Sequence, residues 1–336
     1  MVARVAIAAP LVGAVIAATS VSAQTTISPT PQATLVELKI PSPEKDFPIR
    51  DVYVWTPAVQ PSAVATLPIV YMLHGWPGMP NGIMGGVLAP LQAAFKKYGK
   101  PFIAVFPDGN AKTHIDSEWA DSYDGKAMIE TWLTTNVINT VEAGDIRPAA
   151  DRAILGFSMG GYGAAIIGLH HPELFGQIIT LAGYFVTDDL TNAFGGASHS
   201  SKVAYQTPSN FLKTANKSRW FLSESNQDFT ALIHGQAASW GKKLKSVNAS
   251  YTISELPGGH SYGYVASEIP MIVQWLKWPL FTAPTPTSSP SNSPTPTSSP
   301  SNSPTPTSSP SNSPTPTDSP SSSESPAPTP TPSGSN

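Results

Sequence analysis

Short apolar runs rich in β-branched and aromatic residues recur through the middle of the chain. Eight of them read as strands: Thr34–Ile40, Asp51–Thr56, Pro68–Leu73, Phe102–Phe106, Arg152–Gly156, Gln177–Ala182, Trp220–Ser223 and Tyr251–Leu256. Several are almost continuously hydrophobic, the pattern of a strand covered on both faces in a parallel sheet. The later runs alternate with stretches of helical periodicity at Gly161–His170, Phe229–Val247 and Ile269–Trp278; in the second, Leu232, Ala238, Trp240 and Leu244 fall at helical intervals. Strand–helix alternation predicts a doubly wound α/β domain, with helices on both faces of a mostly parallel eight-stranded sheet. No helical pattern separates the first two runs, so they are expected to form an antiparallel pair at one edge.

Both flanks of this pattern differ from it. At the N-terminus, Arg4 precedes an uncharged apolar run from Val5 to Ala18, and Val21 and Ala23 then stand at the −3 and −1 positions of a cut before Gln24. This is the layout of a secretory signal peptide over residues 1–23, and the run is shorter than the roughly 20 apolar residues of a membrane-spanning helix. From Thr282 to Asn336 the chain is built almost entirely of Pro, Ser and Thr. The segment SNSPTPTSSP occurs at Ser291–Pro300 and again at Ser301–Pro310, with SNSPTPTDSP following at Ser311–Pro320. With almost nothing apolar to bury, residues 282–336 are expected to be a disordered, extended spacer, a candidate for O-glycosylation and for cell-wall association. The expected location is extracellular. Residues 24–281 remain as the folded domain, a length that suits one α/β core.

Charge and cysteine content narrow the chemistry further. The net charge is −3 and no basic run interleaves with aromatics, so nucleic acid is not an expected partner. There is no cysteine, which excludes a thiol nucleophile, cysteine zinc sites and lipid attachment through an N-terminal Cys. No H-E-x-x-H or comparable cluster occurs, so neither a metal nor another cofactor is expected.

Residues 152–163 read RAILGFSMGGYG. A short apolar strand runs into Gly156-Phe157-Ser158-Met159-Gly160, and a helix of small residues opens directly after it. This is the G-x-S-x-G nucleophile elbow of α/β-hydrolases in its strand–turn–helix context. The sharp turn leaves no room for side chains two residues before and after Ser158, which accounts for Gly156 and Gly160. The helix N-terminus directs its N–H groups at charge developing on the substrate.

In this fold the acid and then the histidine follow the serine. Of seven histidines, His74 and His114 precede it. His170 and His171 end the helix after it, His199 lies in a polar loop, and His234 falls inside the helical stretch 229–247. His260, in Leu256-Pro257-Gly258-Gly259-His260, follows a strand and a glycine pair, and is the expected base. The acid belongs after the preceding strand, where Asp228 and Glu224 both stand; Asp228, farther into the loop, is preferred, and Glu224 stays open. The excursion Phe185–His199, with Asp188 and Asp189, reads as part of a cap. Residues 70–78, VYMLHGWPG, end a strand at His74-Gly75, so the backbone N–H groups of Trp76 and Met159 are the candidate oxyanion donors.

With these residues in place the chain resembles the putative-esterase branch of the α/β-hydrolases, which includes esterase D, feruloyl esterases and mycolyltransferases. The resemblance spans Val52 to Trp278 and is carried by LPIVYMLHG, by FPDGN followed by EWADS, by RAILGFSMGGYGAAIIGLHHPELF and by ELPGGHSYGYV. It implies the same nucleophile, base and oxyanion donors, and its acid falls best on Asp228. It also implies that the loop of Trp119 and Asp121 lines the substrate. Two features depart from the family: Ser261-Tyr262 stands where Asp-Trp is usual, and the acid loop SESNQDF lacks a glycine. The expected function is a secreted serine ester hydrolase working through an acyl-enzyme on a small-molecule or polysaccharide ester. One alternative is acyl transfer to a sugar hydroxyl, and another is a surface binding module without chemistry.

Overall fold

The computed structural model describes residues 30–278. The expected signal peptide at 1–23 and repeat tail at 282–336 both lie outside the described residues. All eight expected strands form, within one or two residues of the expected bounds: β1 (Thr34–Pro41), β2 (Ile49–Thr56), β3 (Ile69–Leu73), β4 (Ile103–Pro107), β5 (Arg152–Phe157), β6 (Gln177–Leu181), β7 (Arg219–Ser225) and β8 (Ser250–Leu256). They make one sheet in the order β1-β2-β4-β3-β5-β6-β7-β8. The β1–β2 and β2–β4 pairs are antiparallel, and every later pairing is parallel. This is the α/β-hydrolase architecture. Every residue of β3, β4, β5 and β6 is buried, as continuous hydrophobic runs require, whereas the edge strand β1 is mostly exposed.

The helices differ more from expectation. The helix after Ser158 spans Met159–His170. The stretch expected at 229–247 is helical only over Gln236–Ser246, which leaves Asp228 and His234 in the loop before it. The last helix is Tyr262–Trp275, starting seven residues before the expected Ile269. There Ser261 caps the helix by accepting the Tyr264 N–H at 3.2 Å, and Pro270 lies within it.

A long helix, Pro80–Tyr98, connects β3 to β4. Gly82, Gly85, Gly86 and Pro90 dilute its apolar stripe, so the pattern does not announce it. Its ends do carry helix punctuation: Pro80 in the first turn and Gly99 at φ 63° closing it. Together with Tyr262–Trp275 it covers one side of the sheet.

The expected cap between β6 and β7 is a series of short helices, including Gly196–His199, Ser200–Tyr205 and Pro208–Lys217. Its contacts run to the helix after the nucleophile, through Thr214 Oγ1 donating to Leu169 O at 2.8 Å, and to the loop after β4, through Tyr123 N–H donating to Ala193 O at 2.8 Å.

Candidate active site

Ser158 sits between β5 and the Met159–His170 helix with φ 58° and ψ −120°, a left-handed conformation that costs a non-glycine residue about 1–3 kcal/mol. The surrounding backbone makes the turn possible. A Cβ on Gly156 would lie 1.8 Å from Gly160 O, and one on Gly160 would lie 2.3 Å from Leu73 O. Only glycine fits at either place, and the strain at Ser158 is held by Ser158 N–H donating to Leu181 O at 2.9 Å.

The structure brings Ser158, His260 and Asp228 into one hydrogen-bonded line. Ser158 Oγ lies 2.9 Å from His260 Nε2, and His260 Nδ1 lies 2.6 Å from Asp228 Oδ2. Asp228 is 2% exposed. Burial pushes its carboxyl up, but hydrogen bonds from Thr230 and His260 outweigh that and hold it below the ordinary aspartate value. An ionised Asp228 accepts only, so Nδ1 carries the proton and Nε2 is left to accept from the serine hydroxyl. The ring of Phe157, the residue before Ser158, packs 4.7 Å from the His260 ring.

Two loops place these groups, and ties between them were not signalled by any sequence motif. Ser225 Oγ accepts the Gly259 N–H at 3.0 Å, and Gln227 Oε1 accepts the Gly258 N–H at 3.0 Å. The chain turns at Gly258 and Gly259 with φ 144° and 64°, so the glycine pair lets His260 reverse toward the loop of Asp228.

Glu224 occupies a different place. Its carboxylate accepts the N–H groups of Gly235 and Ala237 at the start of the Gln236–Ser246 helix, and His234 Nδ1 lies 3.6 Å from it. It is a helix-start anion, with no hydrogen bond to His260. The other histidines are likewise engaged elsewhere. His74 accepts the Gly109 N–H at 3.0 Å, His114 pairs with Asp124, and His170 and His171 share Glu130.

The backbone N–H groups of Trp76 and Met159 have no hydrogen-bond partner among the described residues. They lie on the two backbone segments that meet at Ser158: a Cβ on Gly75 would fall 2.9 Å from Ser158 Cβ. The expected substrate-lining role of Trp119 needs correction. Trp119 is completely buried and its indole donates to His74 O at 3.0 Å; its side chain packs on Gly109 and Gly163, where any Cβ would strike it at 2.5 Å. It supports the backbone at His74 and has no surface to offer a substrate. Asp121 accepts from Thr131 N–H at 3.0 Å and from the Thr131 hydroxyl, fixing the helical turn that begins at Ile129. Trp119 is thus a brace, which a short motif read without its packing could not reveal.

Among the described residues no group of three or more His, Asp or Glu side chains is arranged to hold a metal ion, and no helix is long and apolar enough to cross a membrane.

A family model described as a putative esterase matches residues 50–276, an interval that contains every residue of the hydrogen-bonded line. The chain belongs to this esterase family. Solved structures share its fold. A ferulic acid esterase superposes with a TM-score of 0.60 at 18% identity, over 73% of this chain and 98% of the other. An S-formylglutathione hydrolase from Staphylococcus aureus gives 0.59 at 20% identity, over 73% and 99%. MPT51 from Mycobacterium tuberculosis gives 0.54 at 19% identity, again over 73% and 99%. No curated protein matches the chain in sequence. The esterase is therefore placed by its family model, with an enzyme's hydrolytic chemistry, and its fold by these neighbours.

Proposed function

We propose that this esterase is a secreted serine carboxylic-ester hydrolase that works through an acyl-enzyme on Ser158. The observation that carries the proposal is the line Ser158–His260–Asp228, with distances of 2.9 and 2.6 Å. His260 Nε2 takes the Ser158 proton as Oγ attacks the ester carbonyl carbon. Asp228 keeps the imidazole in the accepting tautomer and stabilises the imidazolium that forms. The carbonyl electron pair moves to an oxyanion, which accepts the N–H groups of Trp76 and Met159. Loss of one such donor typically lowers turnover by about 10²–10³. The carbon–oxygen bond to the leaving alcohol then breaks, the His260 proton passes to that alcohol, and water repeats the sequence on the acyl-enzyme.

Extracellular action is supported by the leader at residues 1–23, and wall association by the Pro/Ser/Thr repeats of the tail. An ester carried on an extracellular polysaccharide fits both. A panel of p-nitrophenyl esters of graded chain length, run on the wild type beside Ser158→Ala, tests the chemistry. Turnover is expected to vanish in the variant, and equal rates on every ester would refute the proposal. Product analysis with and without a sugar acceptor separates hydrolysis from acyl transfer, and secretion is read from whether the exported protein begins at Gln24.

A further inference from the structure

Tyr262 lies two residues after His260, and the acyl-transfer steps leave it without a role. Its placement is specific. One side of the ring meets Phe157, with centroids 5.4 Å apart. The rest of the side chain fills a trough made by three glycines four residues apart, Gly78, Gly82 and Gly86. A Cβ on Gly78 would lie 2.6 Å from the Tyr262 hydroxyl, one on Gly82 2.9 Å from the ring, and one on Gly86 3.1 Å from the Tyr262 Cβ. The side chain is half-buried. Burial raises its phenol pKa.

The two oxyanion donors differ in how they are held. Met159 belongs to the elbow, where Gly156 and Gly160 touch within five residues of chain. Trp76 lies on a turn whose internal tie is the Gly78 N–H donating to Gly75 O at 2.6 Å, and whose outer face rests on Tyr262. The same tyrosine is joined through Ser261 to the base and through Phe157 to the nucleophile. The tyrosine hydroxyl packs at Gly78, and Trp76 supplies an amide of the turn that Gly78 closes.

We propose that Tyr262 is a positioning residue: its ring and hydroxyl hold the Gly75–Gly78 turn, and with it the Trp76 N–H, in register with His260 and Ser158. The proposal rests on the acyl-transfer function above. A residue that only packs helix 80–98 against helix 262–275 would give stability and nothing else, and kinetics separate the two roles.

The test uses the full chain with two substitutions. Tyr262→Phe removes only the hydroxyl. Gly82→Ala leaves residue 262 intact, improves local helix propensity and presses a methyl on the ring from the far side. Turnover of p-nitrophenyl acetate, inhibition by an aryl trifluoromethyl ketone and thermal unfolding are measured for each. The ketone's serine adduct carries an oxyanion, so its affinity reports the donor pair. Both variants are expected to lose about tenfold in kcat with KM unchanged, the signature of an interaction made only in the transition state. The ketone should weaken by a similar factor. If both variants keep kcat and ketone affinity within about twofold of wild type, whether or not they melt earlier, the positioning role is refuted. Ser158→Ala is run alongside. Turnover surviving there would overturn the acyl-enzyme chemistry itself, whereas an inactive Ser158→Ala beside unchanged Tyr262 and Gly82 variants would overturn only the role of Tyr262.

Discussion

Asp228→Asn changes one atom of a nearly buried side chain and inverts the hydrogen bond that matters. In the native arrangement Asp228 Oδ2 accepts from His260 Nδ1 at 2.6 Å, and Oδ1 accepts the Thr230 N–H at 3.1 Å. Asparagine keeps one oxygen, which the Thr230 N–H claims, and turns an NH₂ toward Nδ1. The imidazole then accepts at Nδ1 and carries its proton on Nε2, 2.9 Å from Ser158 Oγ, where it has no lone pair to take the serine proton. In a serine–histidine–aspartate site the same inversion lowers kcat by about 10⁴, which is roughly 5 kcal/mol of barrier. Little stability should be lost, because volume and the Thr230 contact are retained.

Glu224→Gln is the matched control. It removes a charge that accepts two N–H groups at a helix start, worth about 1–2 kcal/mol in a partly buried place, or a midpoint lower by about 2–8 °C at this chain length. Its kcat should stay close to wild type. The assay is p-nitrophenyl acetate turnover on both full-length variants beside thermal unfolding by circular dichroism. A Glu224→Gln enzyme that loses turnover while Asp228→Asn keeps it would show that the acid has been misassigned.

Two buried carboxyls give stability predictions of opposite sign. Burial raises Glu130, but hydrogen bonds from His170 and His171 outweigh it and bring its pKa down to about 2, so its contribution is full above the unfolded value near 4.5 and is lost as pH falls toward 2. Glu130→Gln should therefore melt several degrees below wild type at pH 5.5, with the gap closing in acid; a gap that persists unchanged at pH 2 would contradict the linkage. Asp116 is pushed up to about 6 by burial and by Asp188, with Oδ1 lacking a hydrogen-bond partner. An acid with a raised folded pKa weakens the fold as pH rises from its unfolded value near 3.8 through 6. Asp116→Asn should raise the melting temperature at pH 7.5 and leave it unchanged at pH 3.5; no gain at pH 7.5 would mean that Asp116 ionises without penalty.

What could be read from the chain alone was what neighbouring residues impose on one another. The eight strands announce themselves because both faces of β3 to β6 are covered, so burial is written into consecutive residues. The elbow is legible for the same reason: Gly156 meets Gly160 across five residues, and only glycine fits either place. The choice of His260 rested on its order after Ser158, and its Nε2 lies 2.9 Å from Ser158 Oγ. Tertiary structure decided whatever depended on which distant segment lies opposite. Asp228 and Glu224 are four residues apart, yet one carboxylate turns to the base loop and the other to a helix start that the periodicity had drawn seven residues too early. Trp119 looked like a substrate contact in its motif and is instead enclosed between Gly109 and Gly163. Tyr262 gains its place only because helix 80–98, silent in the hydrophobic pattern, and the turn before it present three glycines to its side chain. Local backbone strain and continuous burial are properties of a few adjacent residues; the direction of a carboxylate and the neighbours of a ring are fixed by packing between segments far apart in the chain.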